Sequence, residues 1–419
     1  MSFQRGKGFN SVLGWSVAMW RLGFFFHEMG FGMLSIFLPL YVIAIGGSLV
    51  EIGIMSGAAL FLAIPASFFW GHVCDKTRRY KRYVLLSFLS STLILYLFTF
   101  TMSVLMLILL YAILSFFHMA HEPPKNVLIA EMYSRQDWER SFAFYEGFTE
   151  VGWLIGLILG FLTSLFGFRP DVTLLLCAVL NLAAFSLSFV FVADPLLVFE
   201  RSLVNIERST DFVHRGVFIA SRILDGSQIN ERLKRENIAA FCVALILFSL
   251  ATSVLFTPMP IFVSGVAASA SLSSSIVFAI FVLNSTGAVA GYALAGSRSN
   301  QLTGKTGLHR TVAFRGLLSL TLLLVAYIMN PLYNVALVAT VLILMGFAYA
   351  LFLVYMLSLS MELIPSGKAG LFNVLIGIGG ACGSFIGPFI AAQAIGFAGV
   401  FMVAGIIFFV AYLTLKIFA

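Results

Sequence analysis

Twelve apolar stretches, each long enough to cross a bilayer, recur along this chain of 419 residues. That repetition leaves few folds open. A crossing helix needs about 20 apolar residues. Hydrocarbon offers no partner to a backbone N–H or C=O, so each crossing segment must close its own hydrogen bonds as a helix. The stretches lie near 17–45, 50–70, 83–101, 104–128, 142–166 and 172–192, then near 237–263, 271–295, 312–329, 333–362, 369–392 and 395–417. The expected fold class is an all-α integral membrane protein with twelve transmembrane helices. It divides into a six-helix half (1–192), a central polar loop (193–236) and a second six-helix half (237–419). Composition agrees: 60% of residues are hydrophobic and 10% charged, where a soluble domain carries about 25% charge. Soluble enzymes, nucleic-acid binders and disordered chains are thereby excluded. Arg5 and Lys7 precede a long apolar run with no small-residue cleavage site, so the first span is expected to stay as an anchor.

Lys and Arg set the expected orientation, because cytoplasmic loops carry them in excess. On this reading 22 of the 25 fall on one side. They include Arg5 and Lys7, the loop Lys76–Arg82, Arg135 and Arg140, the central segment, and then Arg298, Lys305, Arg310 and Arg315. Both termini are therefore expected in the cytoplasm, with the protein in the plasma membrane. The net charge of +7 becomes a topological signal rather than a nucleic-acid surface. The central FVHRGVFIASRIL segment mixes charge with apolar residues; it reads either as a helix lying on the inner leaflet or as an ordinary linker.

The halves read as repeats. The fourth span's exit, its linker and the fifth span (AEMYSRQDWERSFAFYEGFTEVGWLIGLILGF) parallel the tenth-to-eleventh segment (MELIPSGKAGLFNVLIGIGGACGSFIGPF). Each has an acidic exit, a short basic linker and a Gly-rich helix. Parallel six-span halves are a known transporter architecture. Between the second and third spans stands Gly71-His-Val-Cys-Asp75-Lys76-Thr-Arg78-Arg79-Tyr-Lys81-Arg82. This resembles the signature of the major facilitator superfamily, with Arg78 where that pattern usually has Gly. The resemblance covers nearly the whole chain. It implies close helix packing at Gly71 and a cytoplasmic charge latch built on Asp75, with Lys76 and Arg79 beside it. It also implies a central cavity lined by the first, fourth, seventh and tenth spans. Proton-driven drug antiporters of the family carry G-x-x-x-G-P in the fifth span. Here that element falls in the eleventh, at Gly383, Gly387 and Pro388, preceded by Gly379. There it reads as small residues for helix packing. The GIGGACG run has no preceding strand and is no nucleotide loop.

Intramembrane ionisable groups are costly and mark function by default. They cluster in the first half: Arg21, His27 and Glu28 on the first span, His118, His121, Glu122 and Lys125 on the fourth, Glu146 and Glu150 on the fifth. At about 100° per residue the four on the fourth span share one face. Pro123 and Pro124 interrupt the hydrogen-bond ladder beside them. Arg21 and Lys125 against Glu28, Glu122, Glu146 and Glu150 leave an excess of carboxylate, which protons, imidazolium or a cation must relieve. Glu28 and Glu122 are expected to carry the proton, with His27, His118 and His121 as relay or solute contacts. Arg21, Lys125, Glu146 and Glu150 are expected to form inner-gate ion pairs. A divalent-metal site at His118-x-x-His121-Glu122 with His27 and Glu28 is an alternative. Cys74, Cys177, Cys242 and Cys382 are unpaired by spacing and read as core. Phe24–Phe26, Tyr145, Trp153, Tyr349 and Tyr355 are available as a cavity wall.

The expected function is proton-coupled alternating access by a monomer that exports small amphiphilic or drug-like compounds. Uptake of a sugar or organic acid, metal transport, and a non-transporting sensor on the same scaffold are the alternatives. No cofactor is implied, and no nucleophile–base pair with proper spacing points to an enzyme.

Overall fold

The computed structural model describes residues 19–132, 138–194, 238–297, 305–363 and 369–418. All regular structure among them is helical. Twelve helices have membrane-spanning length and hydropathy: Arg21–Ala44, Leu49–Thr77, Tyr80–Phe98, Val104–Lys125, Ala143–Leu165 and Pro170–Phe191 in the first half. The second half has Ala239–Ser269, Ser275–Gly296, Gly307–Ala326, Pro331–Met356, Val374–Ala391 and Gly396–Ile417. These are called the first to twelfth spans. Arg5, Lys7, Arg135, Lys368 and nearly all of the central segment, including its amphipathic stretch, lie outside the described residues.

Local sequence explains several boundaries. The second span starts on a capping box: Ser48 N donates to Glu51 Oε2 at 2.7 Å, and Glu51 N donates to Ser48 Oγ at 3.3 Å. The sixth starts with Pro170 at a first-turn position, where a missing N–H costs nothing. Pro258 divides the seventh into Ile238–Phe256 and Met259–Ser269. The fourth changes from α to 3-10 geometry over Met119–His121, directly before Pro123 and Pro124.

One boundary corrects the sequence reading. The ninth span begins at Gly307, ahead of the expected start near 312, so Arg310 lies within the helix and Arg315, counted with the basic loop, lies well inside it. Three basic residues in KTGLHRTVAFR make this stretch look like loop, yet Arg315 is completely buried. Cys382 is a second correction, since it is exposed whereas Cys74 and Cys177 are buried.

Packing obeys a simple rule. In the first half the first span packs on the fifth and sixth, the third on the fourth and sixth, and the second on the fourth. Adding six to each number gives the second half's contacts: seventh on eleventh and twelfth, ninth on tenth and twelfth, eighth on tenth. The halves meet through second-on-eleventh and fifth-on-eighth, a set that a two-fold operation maps onto itself. At the end of the bundle away from the basic loops, one apolar cluster joins Ile36 and Leu157 of the first half to Val254, Met259, Phe281 and Met345 of the second.

Small residues make the seams within each half. A Cβ on Gly156 would fall against the Met29 backbone carbonyl, and one on Gly152 within 2.6 Å of Phe25 O. In the second half Gly379, Gly383 and Gly387 meet the carbonyls of Ile246, Leu250 and Val254 in the same way. Between halves the approach is looser. A Cβ on Gly53 would stand 3.2 Å from Pro388 Cβ, and one on Gly57 3.4 Å from Ala381 O. Gly71 has nothing within 4 Å, so the close packing implied for it is absent from this conformation. Gly156→Ala is therefore expected to force backbones apart at a cost of roughly 1–3 kcal/mol. Gly71→Ala should be neutral, or stabilising by up to about 1 kcal/mol through helix propensity. Thermal unfolding of the two purified variants in detergent checks the contrast.

Candidate functional site

Glycines and small side chains bring the first, third, fourth and sixth spans close enough for their few polar groups to meet. His27 of the first span is the hub, fully buried. Its Nδ1–H donates to Asn181 Oδ1 of the sixth span at 2.7 Å. The amide is oriented for this because Asn181 Nδ2 donates to Cys177 O at 2.9 Å. With Nδ1 committed as donor, His27 Nε2 is the acceptor, and His118 Nδ1 donates to it across 3.1 Å. One amide thus fixes two tautomers.

His121 continues the network. Its Nδ1 lies 3.1 Å from Ser87 Oγ of the third span, and its Nε2 lies 3.3 Å from Glu122 Oε1. Ser87 Oγ also reaches the His118 carbonyl at 3.2 Å. This carbonyl sits where the 3-10 turn loosens the helix. Ser87 can donate to His121 Nδ1 when the imidazole is neutral. It can equally turn its proton to His118 O and accept from His121 when both ring nitrogens carry hydrogen. Either protonation state of His121 is hydrogen-bonded. The three rings pack together with centroids 4.7–5.0 Å apart, against Phe24, Phe31 and Phe88.

Glu122 ends the chain and also accepts from Lys125 Nζ at 2.7 Å. The Lys125 ammonium stands 5.8 Å from the centre of the Tyr145 ring. Glu28, Glu146 and Lys125 lie within electrostatic reach of one another and of Glu122. Glu150 accepts a 2.5 Å bond from Ser285 of the eighth span, so a membrane carboxylate bridges the two halves. Arg21 stacks on Trp20 and Phe144. Two of the groups expected to pair at the inner gate have the following contacts. Lys125 pairs with Glu122 on its own helix, one turn away, and Glu150 is held by a hydroxyl.

Next to Glu122 opens a cavity of about 310 Å3. The second span contributes Leu60, Ile64 and Ser67, the fourth Met119 and Glu122, and the eleventh Gly377 and Gly380. Its other wall comes from the seventh span (Phe248, Ser249, Thr252, Ser253) and the tenth (Tyr349, Phe352). Of the aromatic residues available in the sequence, Tyr349 reaches this wall. Phe24 and Tyr145 instead pack in the first half's core with Trp20, and Tyr355 in the second half's. Phe248 and Phe352, stacked on each other, supply the rest of the wall.

At the signature loop, Asp75, Lys76 and Arg79 are exposed at the junction of the second and third spans. Arg78 takes the left-handed conformation (φ 54°, ψ 28°), and its N–H bonds Cys74 O at 2.7 Å. The turn is thus the one glycine would make, formed here by arginine at a backbone cost of about 1–2 kcal/mol. Asp194 at the end of the sixth span accepts from Lys81 N at 2.8 Å, so it caps the third helix.

Sequence reasoning missed Asn181, Ser87, Ser285 and Arg315. The first three are common polar residues whose partners sit far away in sequence. Asn181→Ala is expected to strand the His27 Nδ1 proton and cost about 1–3 kcal/mol. Combined with His27→Phe, it should cost clearly less than the sum of the single changes. A double-mutant cycle on thermal unfolding checks this coupling.

Solved structures share the fold, two of NupG among them. One is the nucleoside transporter NupG, at TM-score 0.70 and 14% identity, covering 96% of this chain and 98% of that one. The other is a point-mutant form of NupG, at TM-score 0.69 and 13% identity, covering 96% and 99%. No curated protein matches the sequence. The family model of the Major Facilitator Superfamily matches residues 22–375. With twelve spans, two six-helix halves related by their contacts and the Gly71–Arg82 loop, the chain belongs to the Major Facilitator Superfamily of membrane transporters.

Proposed function

We propose that this transporter couples solute export to protons, exchanging a small amphiphilic, ring-bearing solute against proton entry by alternating access. The observation that carries the reading is the double placement of Glu122. Its carboxylate meets His121 Nε2 at the edge of the imidazole cluster and also lines the cavity. A solute group that donates to Glu122 competes there with a proton, and such competition produces exchange. The basic loops orient the cavity side toward the cytoplasm, and Asp75, Lys76 and Arg79 serve as the latch at that end. Glu28 exchanges protons with Glu122 through the surrounding polar groups. The fixed tautomers of His27 and His118 and the adaptable Ser87 give the imidazoles a defined direction of transfer. Lys125 holds Glu122 ionised when no solute or proton is bound, while Arg21, Glu146 and Glu150 set the local charge. Phe248, Phe352 and Tyr349 offer the solute its apolar contact.

A second reading is supported by the hydroxyls. Ser67, Ser249, Thr252 and Ser253 surround the aromatic wall, a set suited to a ring joined to a polyol, and two solved structures of similar fold are of a nucleoside transporter. Proton-coupled uptake of such a solute is the alternative.

The test uses purified protein in proteoliposomes with an imposed pH gradient. The solute is first found by thermal shift over amphiphilic compounds, nucleosides, sugars and organic acids. Glu28→Gln and Glu122→Gln are each expected to abolish gradient-driven transport while solute counterflow continues. Gradient-driven accumulation persisting in both variants would falsify the coupling assignment. Stabilisation by nucleosides alone would favour the second reading.

A further inference from the structure

Arg315 of the ninth span has no place in the proton network. It is 0% exposed, and Nε, Nη1 and Nη2 all lack a hydrogen-bond partner. Four rings surround the guanidinium: Phe248 at 5.1 Å, Tyr349 at 5.2 Å, Phe408 at 5.4 Å and Phe256 at 5.5 Å. Cation–π contact holds the charge but leaves its directional donors unused. A buried arginine is ordinarily matched by a carboxylate or phosphate.

Two of the rings that cage Arg315 are also cavity wall. Phe248 and Tyr349 face the cavity, so one layer of side chains separates it from the guanidinium. Thr252 stands between Phe248 and Phe256 on the same face of the seventh helix, four residues from each. It lines the cavity, and its Oγ1 is likewise buried without a partner. Two unmatched donors from neighbouring helices therefore back onto one wall, and the opposite wall presents the Glu122 carboxylate.

We propose that Arg315 and Thr252 form an oxyanion subsite of the cavity, so that the solute carries a carboxylate-type group at the pole opposite Glu122. Entry of the oxyanion shifts the rings of Phe248 and Tyr349 and gives it the guanidinium N–H groups and the Thr252 hydroxyl. The solute then bridges the halves, with its donor end on the fourth span and its acceptor end on the seventh and ninth. This rests on the cavity being the solute site, as proposed above, but not on proton coupling.

Equilibrium binding to the purified full chain, with no gradient present, separates the two claims. Phenylalanine, its amide and its N-acetyl derivative present both poles, the cationic pole alone and the anionic pole alone. In the wild type, loss of the carboxylate should weaken binding roughly tenfold or more, the scale of a charged hydrogen bond. Arg315→Gln should abolish that acid-over-amide preference, Arg315→Lys should keep part of it, and Thr252→Val should reduce it several-fold. Glu122→Gln should remove the preference for the free amine. The proposal is overturned if the wild type binds none of the three at millimolar concentration, or binds acid and amide equally. It is also overturned if Arg315→Gln lowers thermal stability yet leaves the preference intact, which is the behaviour of a purely structural cation. Should Arg315→Gln fail to fold, an unchanged preference in Thr252→Val overturns it. Loss of preference in these variants in a protein that shows no proton coupling would leave the subsite standing and remove the coupling claim.

Discussion

Hydrocarbon supplies no hydrogen bonds, and this absence organises the molecule. A polar side chain within a span has to meet another polar group, face a cavity, or remain unsatisfied at a cost of several kcal/mol. In the first half the solution is convergence. Imidazoles from the first and fourth spans meet Asn181, Ser87 and Glu122 from four helices, so polar side chains become part of what aligns those helices. In the second half Arg315 is enclosed by aromatic faces instead. The packing of the two halves is related by a two-fold operation, but their chemistry is not. One half gathers imidazoles and carboxylates, the other a desolvated arginine and hydroxyls, and the cavity lies where the two kinds of wall face each other.

That asymmetry bears on how binding is transmitted. Glu122 lies one residue beyond the 3-10 turn at Met119–His121, so a change in its charge acts on a weakened point of the fourth helix. His121 and Ser87 are bonded directly to that point. Moving a proton there alters which hydrogen bonds hold the fourth helix to the third. Local unwinding beside a charged group is tolerated in a membrane only where other protein groups or water take up the freed carbonyls. Here the Trp70 indole N–H bonds Phe116 O at 2.9 Å, and Ser87 reaches His118 O.

Much of this was legible in the sequence, and the reasons differ from part to part. The spans follow from hydropathy, because each must be a self-bonded helix of near-fixed length. The shared face of His118, His121, Glu122 and Lys125 follows from helical periodicity alone. Partners do not. Asn181 is an unremarkable asparagine in an apolar run until His27, 154 positions away, is placed against it. Lys125 had several carboxylates available, and the nearest in sequence prevailed because a pair one helical turn apart needs no help from tertiary packing. Arg315 was hidden for a different reason. Lys305, Arg310 and Arg315 together read as one basic loop at the start of the ninth span, and only the packing of Phe248, Phe256, Tyr349 and Phe408 shows that Arg315 is buried. Arg78 is the converse case: it stands where the family's pattern has glycine, and its backbone is left-handed all the same.

The seams suggest why such a molecule moves as two bodies. Within each half, glycines let backbone meet backbone, as at Gly156 against Met29 and Gly387 against Val254. Sliding there would drive carbonyls into Cα atoms, so the helices of a half stay in register. Between halves the second and eleventh spans keep their backbones farther apart: a Cβ on Gly53 would stand 3.2 Å from Pro388 Cβ, and one on Gly57 3.4 Å from Ala381 O. Such surfaces can roll without breaking a backbone fit. Glu150 and Ser285 add one polar tie across the fifth and eighth spans. The costly interactions therefore lie inside the halves and the cheap ones between them, a distribution that favours rigid-body rocking over internal rearrangement. A solute that touches Glu122 on one half and the seventh and tenth spans on the other binds across the seam between the two bodies.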